Sequence, residues 1–305
     1  MYEESKKTIN RFFGILCLFP VVNILISFVA AVGFILTLGK ATFYTNFILP
    51  QLLLPVLTLT VFVLFSKLLM KDSVKPQKTS KLSVSDAVLF SMLYFGAIPV
   101  LELISALNTA LFGFFGIDLT EISVYQFLPA TVAESIIFIF VLAVLPAISE
   151  ESIYRLGICG TLSRYSTSGA IIVSGIAFGL MHGSFQQVLY AAAAGLLFGY
   201  IYLRTNNIFL TIFLHFINNL SSCAIMLISY NYGEEISSSL YSAKTVFEII
   251  GGVIALTICI KTKKLKIQSP ENSVKTGEII KAIFTSPFFY IFTVAEIIMM
   301  ILNII

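Results

Sequence analysis

Residues 127–157 read FLPATVAESIIFIFVLAVLPAISEESIYRLG, an apolar run that ends in two adjacent carboxylates and an arginine. Between Glu134 and Glu150 the run carries no charge, and it is long enough to cross the hydrocarbon core of a bilayer as a helix. Ionisable side chains are costly to keep in such a segment, so those that occur there usually serve a function. The stretch therefore predicts a membrane-spanning helix with functional polar side chains towards one end.

The whole chain shares this apolar character. It has 305 residues, of which 58% are hydrophobic and 11% charged, and its mean hydropathy is +0.96. These values are typical of a polytopic membrane protein and argue against a water-soluble fold. Nine apolar segments are candidate spans: Phe12 to Leu38, Asn46 to Met70, Ala87 to Phe114, Phe127 to Gly157, Gly169 to Phe185, Gln187 to Leu203, Ile208 to Tyr230, Thr245 to Ile260 and Phe288 to Ile305.

The expected fold is all-α, a polytopic transmembrane helix bundle of about eight or nine spans. We expect N-terminal spans over residues 1–126, a core over residues 127–225, and C-terminal spans with a cytoplasmic basic loop over residues 226–305. The last apolar segment is the weakest candidate, because it contains Glu296 and could instead lie along the membrane interface. No internal repeat is evident in the sequence.

Lysine and arginine residues fall on one side of this predicted topology. With the N-terminus in the cytoplasm, 17 of the 19 basic residues lie in cytoplasmic segments, and only Lys40 and Lys244 lie outside. Short cytoplasmic loops are enriched in positive charge. We therefore predict a cytoplasmic N-terminus in a multi-pass protein of the cell membrane, with basic loops that contact anionic membrane lipids. The lysine- and isoleucine-rich composition indicates a bacterial protein, and nothing resembles a nucleic-acid-binding module.

The chain has two histidines, and both lie within predicted spans beside other functional side chains. His182 follows Phe178 by four residues, and Asn219 follows His215 by four. Residues four apart share one face of a helix, so the phenyl ring can fix the rotamer of the first imidazole. The imidazole and carboxamide of the second pair can both coordinate a metal or donate hydrogen bonds to an oxyanion.

A third pattern consists of Glu150, Glu151 and Arg155. On a helix Glu151 and Arg155 share a face and can form an ion pair, whereas Glu150 is rotated away by about 100°. We therefore assign Glu150 to chemistry and the other two residues to orientation. A solvated helix end with a snorkelling arginine would give the same pattern, so the stretch alone leaves this alternative open.

These patterns can meet only if the fourth span extends beyond Gly157. His182 lies well inside the next span, about 20 Å deep at 1.5 Å per residue. Glu150 reaches a similar depth only if its helix continues past Arg155 towards Leu162. We therefore predict a continuous helix to Leu162 and a shared site in the cytoplasmic half of the bilayer, reached by water through a cavity.

Together these residues resemble the CPBP family of intramembrane proteases, also called Abi, which groups CAAX prenyl proteases with bacteriocin-processing and self-immunity proteins. The resemblance covers roughly residues 127–225. It implies an intramembrane endopeptidase that acts on membrane-associated or lipidated peptides or proteins, in bacteriocin or pheromone processing or in self-immunity. The three family motifs occur in order: Glu-Glu-x-x-x-Arg at Glu150, Glu151 and Arg155, Phe-x-x-x-His at Phe178 and His182, and His-x-x-x-Asn at His215 and Asn219.

The resemblance also implies a catalytic site, with Glu150 as its base. Family members are usually described as metalloproteases, which implies a divalent metal such as zinc with His182 and His215 as ligands. A metal-free route is open as well, in which Glu150 and His182 activate water while His215 and Asn219 hold the oxyanion. No His-Glu-x-x-His stretch is present. The implied catalytic residues are Glu150, Glu151, Arg155, His182, His215 and Asn219.

Two other classes of protein fit part of the pattern. A non-proteolytic membrane scaffold or regulator would have the same fold but would be expected to lack motif residues, and here all are present. A secondary transporter also places carboxylates and histidines at mid-depth, but it more often shows repeated halves and broken helices. The sequence therefore favours a protease, and it does not identify the substrate or the oligomeric state.

Overall fold

The computed structural model describes residues 1–37, 42–70, 79–119 and 128–303. Every regular element in these ranges is a helix, which confirms the predicted all-α fold. Seven helices are long and apolar enough to cross a membrane, or eight if one bent pair counts as a single span. The protein is therefore a multi-pass membrane protein, and the span count agrees with the lower predicted value. Lys40, three loop lysines (Lys71, Lys75 and Lys78) and the predicted boundary at residues 126 and 127 lie outside the described residues.

The N-terminal part of the chain supplies four helices. Ser83 caps the last of them by accepting a hydrogen bond from the backbone N–H of Asp86. The elements are α1 (Tyr2–Leu16), α2 (Leu18–Leu36), a π-helical stretch (Phe43–Ile48) that leads into α3 (Leu49–Met70), and α4 (Val84–Phe114).

The central helix runs from Val132 to Leu162 and carries both glutamates of the first motif. Thr131 and Glu134 form a capping box at its start. Its continuation to Leu162 was required to bring Glu150 to the depth of the histidines, and the structure confirms it. Its consecutive parts are α5 (Val132–Ile139), π-helical Phe140–Val144, α6 (Leu145–Glu150), π-helical Glu151–Cys159 and α7 (Gly160–Leu162).

Six helices follow the central helix. The predicted fifth span, Gly169 to Phe185, is helical only as far as Leu180, because Gly183 has a φ of +57° and lies in a turn. The resulting helix has 14 residues, which is short for a membrane span. The elements are α8 (Thr167–Leu180), α9 (Val188–Thr205), α10 (Ile208–Tyr232), α11 (Glu234–Lys261), and the pair α12 (Thr276–Phe284) and α13 (Pro287–Leu302), which is bent by 67°.

Close packing of α8 on α9 places the second motif in the middle of the protein. A Cβ built on Gly179 would lie 2.5 Å from the Cβ of Ala192, so only glycine allows this approach. Phe178 beside it belongs to a buried apolar cluster that also contains Tyr154 of the central helix and Phe292 of α13. The motif residues therefore face protein and not lipid.

Candidate active site

Glu151, the second glutamate of the pair, is fully buried and links the central helix to α10. Its Oε2 lies 3.3 Å from Nε of Arg155, which is also fully buried. Its Oε1 lies 3.0 Å from Nδ1 of His215 and accepts a hydrogen bond from it. Glu151 thus fixes both the guanidinium and the imidazole, which is the arrangement expected of an orienting residue.

Glu150 faces the other nitrogen of the same imidazole. Its side chain is 19% exposed, and its Oε2 lies 3.7 Å from Nε2 of His215. This distance is too long for a direct hydrogen bond, but a water about 2.8 Å from each atom can donate to both. Because Nδ1–H of His215 is donated to Glu151, Nε2 of the neutral ring carries a lone pair. Glu150 and His215 therefore present two proton acceptors to one space.

The sequence predicted His182 inside a helix, but the residue lies in the turn that follows α8. Its Nδ1 donates a hydrogen bond of 2.8 Å to the carbonyl oxygen of Phe178, because a carbonyl can only accept. Nε2 of the neutral ring is consequently an acceptor here too. The edge of the imidazole contacts the ring of Phe178, with the two centroids 4.8 Å apart, as the four-residue spacing predicted.

The ring of Phe178 lies at the centre of these groups. Its centroid is 5.9 Å from that of His215 and 4.3 Å from Cζ of Arg155. The ring of Phe198 on α9 stacks on that of His215, with the two centroids 5.3 Å apart, and its centroid lies 4.9 Å from Cζ of Arg155. Cation–π contacts of this kind stabilise a desolvated guanidinium. Sequence reasoning missed Phe198, and nothing in the pattern of α9 signals its role.

Asn219 lies one turn beyond His215 and donates a hydrogen bond of 3.2 Å to the carbonyl oxygen of Leu142. Pro146, four residues after Leu142, has no N–H and cannot make the usual helical bond to that carbonyl. Pro146 therefore leaves the carbonyl oxygen of Leu142 without this helical donor, and Asn219 of α10 donates to it instead. Sequence reasoning missed this residue, although a proline inside an apolar span is a signal that could have found it. One N–H of the Asn219 amide is not used by this bond.

The structure brings Glu150, Glu151, Arg155 and His215 into one cluster, which His182 joins through the ring of Phe178. Within residues 128–303 no direct hydrogen bond or ion pair links Glu150 to His182, and the imidazole that faces Glu150 at 3.7 Å is that of His215, so joint action of Glu150 and His182 on a water stays a prediction.

The Nε2 atom of each imidazole is left available to a metal ion, because metal-binding histidines commonly donate the other ring N–H to a carboxylate or a backbone carbonyl. Nδ1 of His215 and Nδ1 of His182 are both engaged in hydrogen bonds, to Glu151 and to Phe178 respectively. Among the residues that the structure describes, no three His, Cys, Asp or Glu side chains are placed to hold one ion. The expected zinc or other divalent metal therefore stays a prediction for elemental analysis.

Comparison with known proteins finds a family model that matches the part of the chain that holds this site. Residues 132–221 match a protein-family model described as type II CAAX prenyl endopeptidase Rce1-like, and all three motifs lie inside the match. The match confirms the resemblance derived from the motifs over this segment, which is less than a third of the chain. The family suggests an intramembrane protease of the CAAX type. No curated protein and no solved structure matches the chain.

Proposed function

We propose that the protein is an intramembrane endopeptidase that hydrolyses peptide bonds of membrane-associated or lipidated peptides or proteins. The observation that carries this proposal is the pairing of Glu150 Oε2 with His215 Nε2 across 3.7 Å, with Glu151 holding the other imidazole nitrogen. A carboxylate and an oriented imidazole that face one space are suited to activate water. The family match supports the same class of reaction.

In this proposal Glu150 is the general base. A water that donates hydrogen bonds to Glu150 and to His215 attacks the carbonyl carbon of the scissile peptide bond, and Glu150 takes its proton. His182 presents a second unprotonated Nε2 beside the ring of Phe178, where it helps to hold the attacking water in line. Positioning of this kind lowers the barrier because the reactants are already arranged for attack.

The proton then has a short path to the leaving nitrogen. Transfer from Glu150 to Nε2 of His215 forms an imidazolium, which the Glu151 carboxylate stabilises through the 3.0 Å bond to Nδ1. Nε2–H donates to the oxyanion and releases its proton to the amine nitrogen as the C–N bond breaks. The remaining N–H of Asn219 supplies a further donor to the oxyanion. One water is consumed, and a carboxylic acid and an amine are formed.

Water needs a route to a site among membrane-spanning helices. A cavity of about 300 Å³ borders Asn218 and extends to an ion cluster in which Lys244 lies 2.9 Å from Glu248 and 3.7 Å from Glu102. Asn218 donates a hydrogen bond of 3.4 Å to Asn219, so the cavity lies next to the candidate site. Its charged lining can hold water, and we propose it as the water reservoir for hydrolysis.

The test is cleavage of a single-span or lipidated reporter peptide in vesicles by the purified protein. Glu150→Gln keeps the shape of the side chain but removes the base, so turnover should fall by about 100- to 10,000-fold. Glu235→Gln makes the same chemical change at an exposed carboxylate in the first turn of α11, so it is the matched control and should keep wild-type turnover. Turnover near wild type in Glu150→Gln would refute the assignment of the base. A wild-type protein that cleaves none of these reporters would favour a non-proteolytic scaffold.

A further inference from the structure

The buried carboxyl group of Glu296, on α13, has no role in the proposed reaction. It is 2% exposed, and it forms no hydrogen bond or ion pair with any other residue that the structure describes. A polar group buried without a partner lowers stability, and an apolar side chain of similar size would avoid this cost. Ionisable residues kept within membrane spans at such a cost usually serve a function.

Glu296 packs against the turn that carries His182. A Cβ built on Gly183, the next residue, would lie 3.7 Å from Oε2 of Glu296. Asn303, at the end of the same helix, donates a hydrogen bond of 2.8 Å from Nδ2 to the carbonyl oxygen of Gly183. Two polar side chains of α13 thus meet one glycine of the turn, and both lie outside the segment that matches the family.

The turn needs support because its own backbone holds it weakly. The N–H of His182 bonds to the carbonyl of Gly179 at 3.3 Å, and the N–H of Gly183 bonds to that of Leu180 at 3.2 Å. Both bonds are longer than the usual 2.9–3.0 Å. Carbonyl groups at a helix end also lack intrahelical donors, which is costly in a membrane. Asn303 supplies one of the missing donors.

We propose that Glu296 and Asn303 are positioning residues that hold the His182 turn in place for the proposed hydrolysis. The carboxyl group of Glu296 packs against Gly183, and Asn303 bonds to the carbonyl oxygen of the same residue. The two residues act on the reaction through His182. This inference rests on the proposed function, and it extends the candidate site to the C-terminal helix.

Three substitutions test the proposal. Asn303→Ala removes the bond to Gly183, and Glu296→Leu replaces the carboxyl with an apolar side chain of similar size. Both should lower kcat by about 5- to 100-fold with KM within about twofold, because the turn is displaced while substrate binding is kept. Glu296→Gln, neutral and polar, should keep kcat within about threefold of wild type.

A matched control separates positioning from general packing. Phe292→Leu alters another buried residue of α13, whose ring lies 6.2 Å from that of Phe13 between centroids and which forms no hydrogen bond to the turn. It should lower the melting temperature but leave kcat per folded molecule unchanged. Without substrate, hydrogen exchange over residues 179–185 should be about fivefold faster in Asn303→Ala than in wild type, and unchanged in Phe292→Leu.

Several outcomes would overturn the proposal. Glu296→Leu with wild-type kcat would show that the carboxyl has no functional role. An equal loss of kcat in Glu296→Gln and Glu296→Leu would show that Glu296 acts by carrying a proton and not by positioning. Unchanged exchange in Asn303→Ala would refute its anchoring role. Since exchange is measured without substrate, these results remain distinct from a failure of the proposed function, which a wild-type protein inactive on every reporter would indicate.

Discussion

Replacing each of the two adjacent glutamates by glutamine should affect stability very differently. Glu151→Gln leaves the fully buried Arg155 without its ion partner at 3.3 Å and weakens the 3.0 Å bond to His215. Within the described residues the guanidinium nitrogens have no hydrogen-bond partner, so little else can compensate the charge. Breaking a buried pair typically costs about 3–5 kcal/mol. The glutamine oxygen can still accept one bond, so we expect the lower end of that range.

A loss of about 3 kcal/mol corresponds to a decrease of roughly 6–12 °C in melting temperature for a protein somewhat smaller than this one. Glu150→Gln breaks no direct hydrogen bond and should change the melting temperature by less than about 2 °C. A thiol-reactive dye can measure both in detergent, because Cys159, Cys223 and Cys259 are buried and become reactive on unfolding. A Glu151→Gln protein as stable as wild type but as slow as Glu150→Gln would reverse the two roles.

Three further predictions address other parts of the account. Pro146→Ala restores an N–H that competes with Asn219 for the carbonyl of Leu142. Reporter turnover should therefore fall about tenfold with no loss of thermal stability, and unchanged turnover would remove Asn219 from the mechanism. Cysteines introduced at the exposed positions Ser80 and Ser238 should report the orientation of the chain in the membrane. An impermeant thiol reagent added to intact cells should label the cysteine at position 238 and not the one at position 80. Labelling at position 80 would overturn the cytoplasmic N-terminus. Elemental analysis of active protein should find far less than one metal ion per chain, and activity lost on chelation and restored by zinc would support the metal route instead.

Much of the fold follows from the apolar runs of the sequence. Spans of sufficient length predict helices because only helices and closed barrels satisfy the backbone in lipid. The extension of the central helix to Leu162 was also predictable, since the depth of His182 required it. Pairing of Glu151 with Arg155 followed from their four-residue spacing, although the helix is π-helical there and the sequence gives no sign of this.

Other features depend on contacts between distant parts of the chain. Gly183 ends α8 early, although the composition of residues 169–185 alone predicts a full membrane span. Phe198 reaches the site, and Glu296 and Asn303 reach the turn after α8, from helices whose apolar pattern only indicates burial. Periodicity does not tell which neighbour a buried side chain meets. The pairing of Glu150 with His215 has the same origin, because it depends on how α10 packs against the central helix.

Hydrolysis in oxygen-18-labelled water tests the central claim most directly. If Glu150 activates water to attack the peptide bond, the new carboxylate of the N-terminal product carries one labelled oxygen, measured by mass spectrometry of reporter fragments from purified protein in vesicles. The Glu150→Gln protein, handled in parallel, should yield labelled product at least about 100-fold more slowly. Unlabelled product, or labelled product formed equally fast by both proteins, would contradict the account.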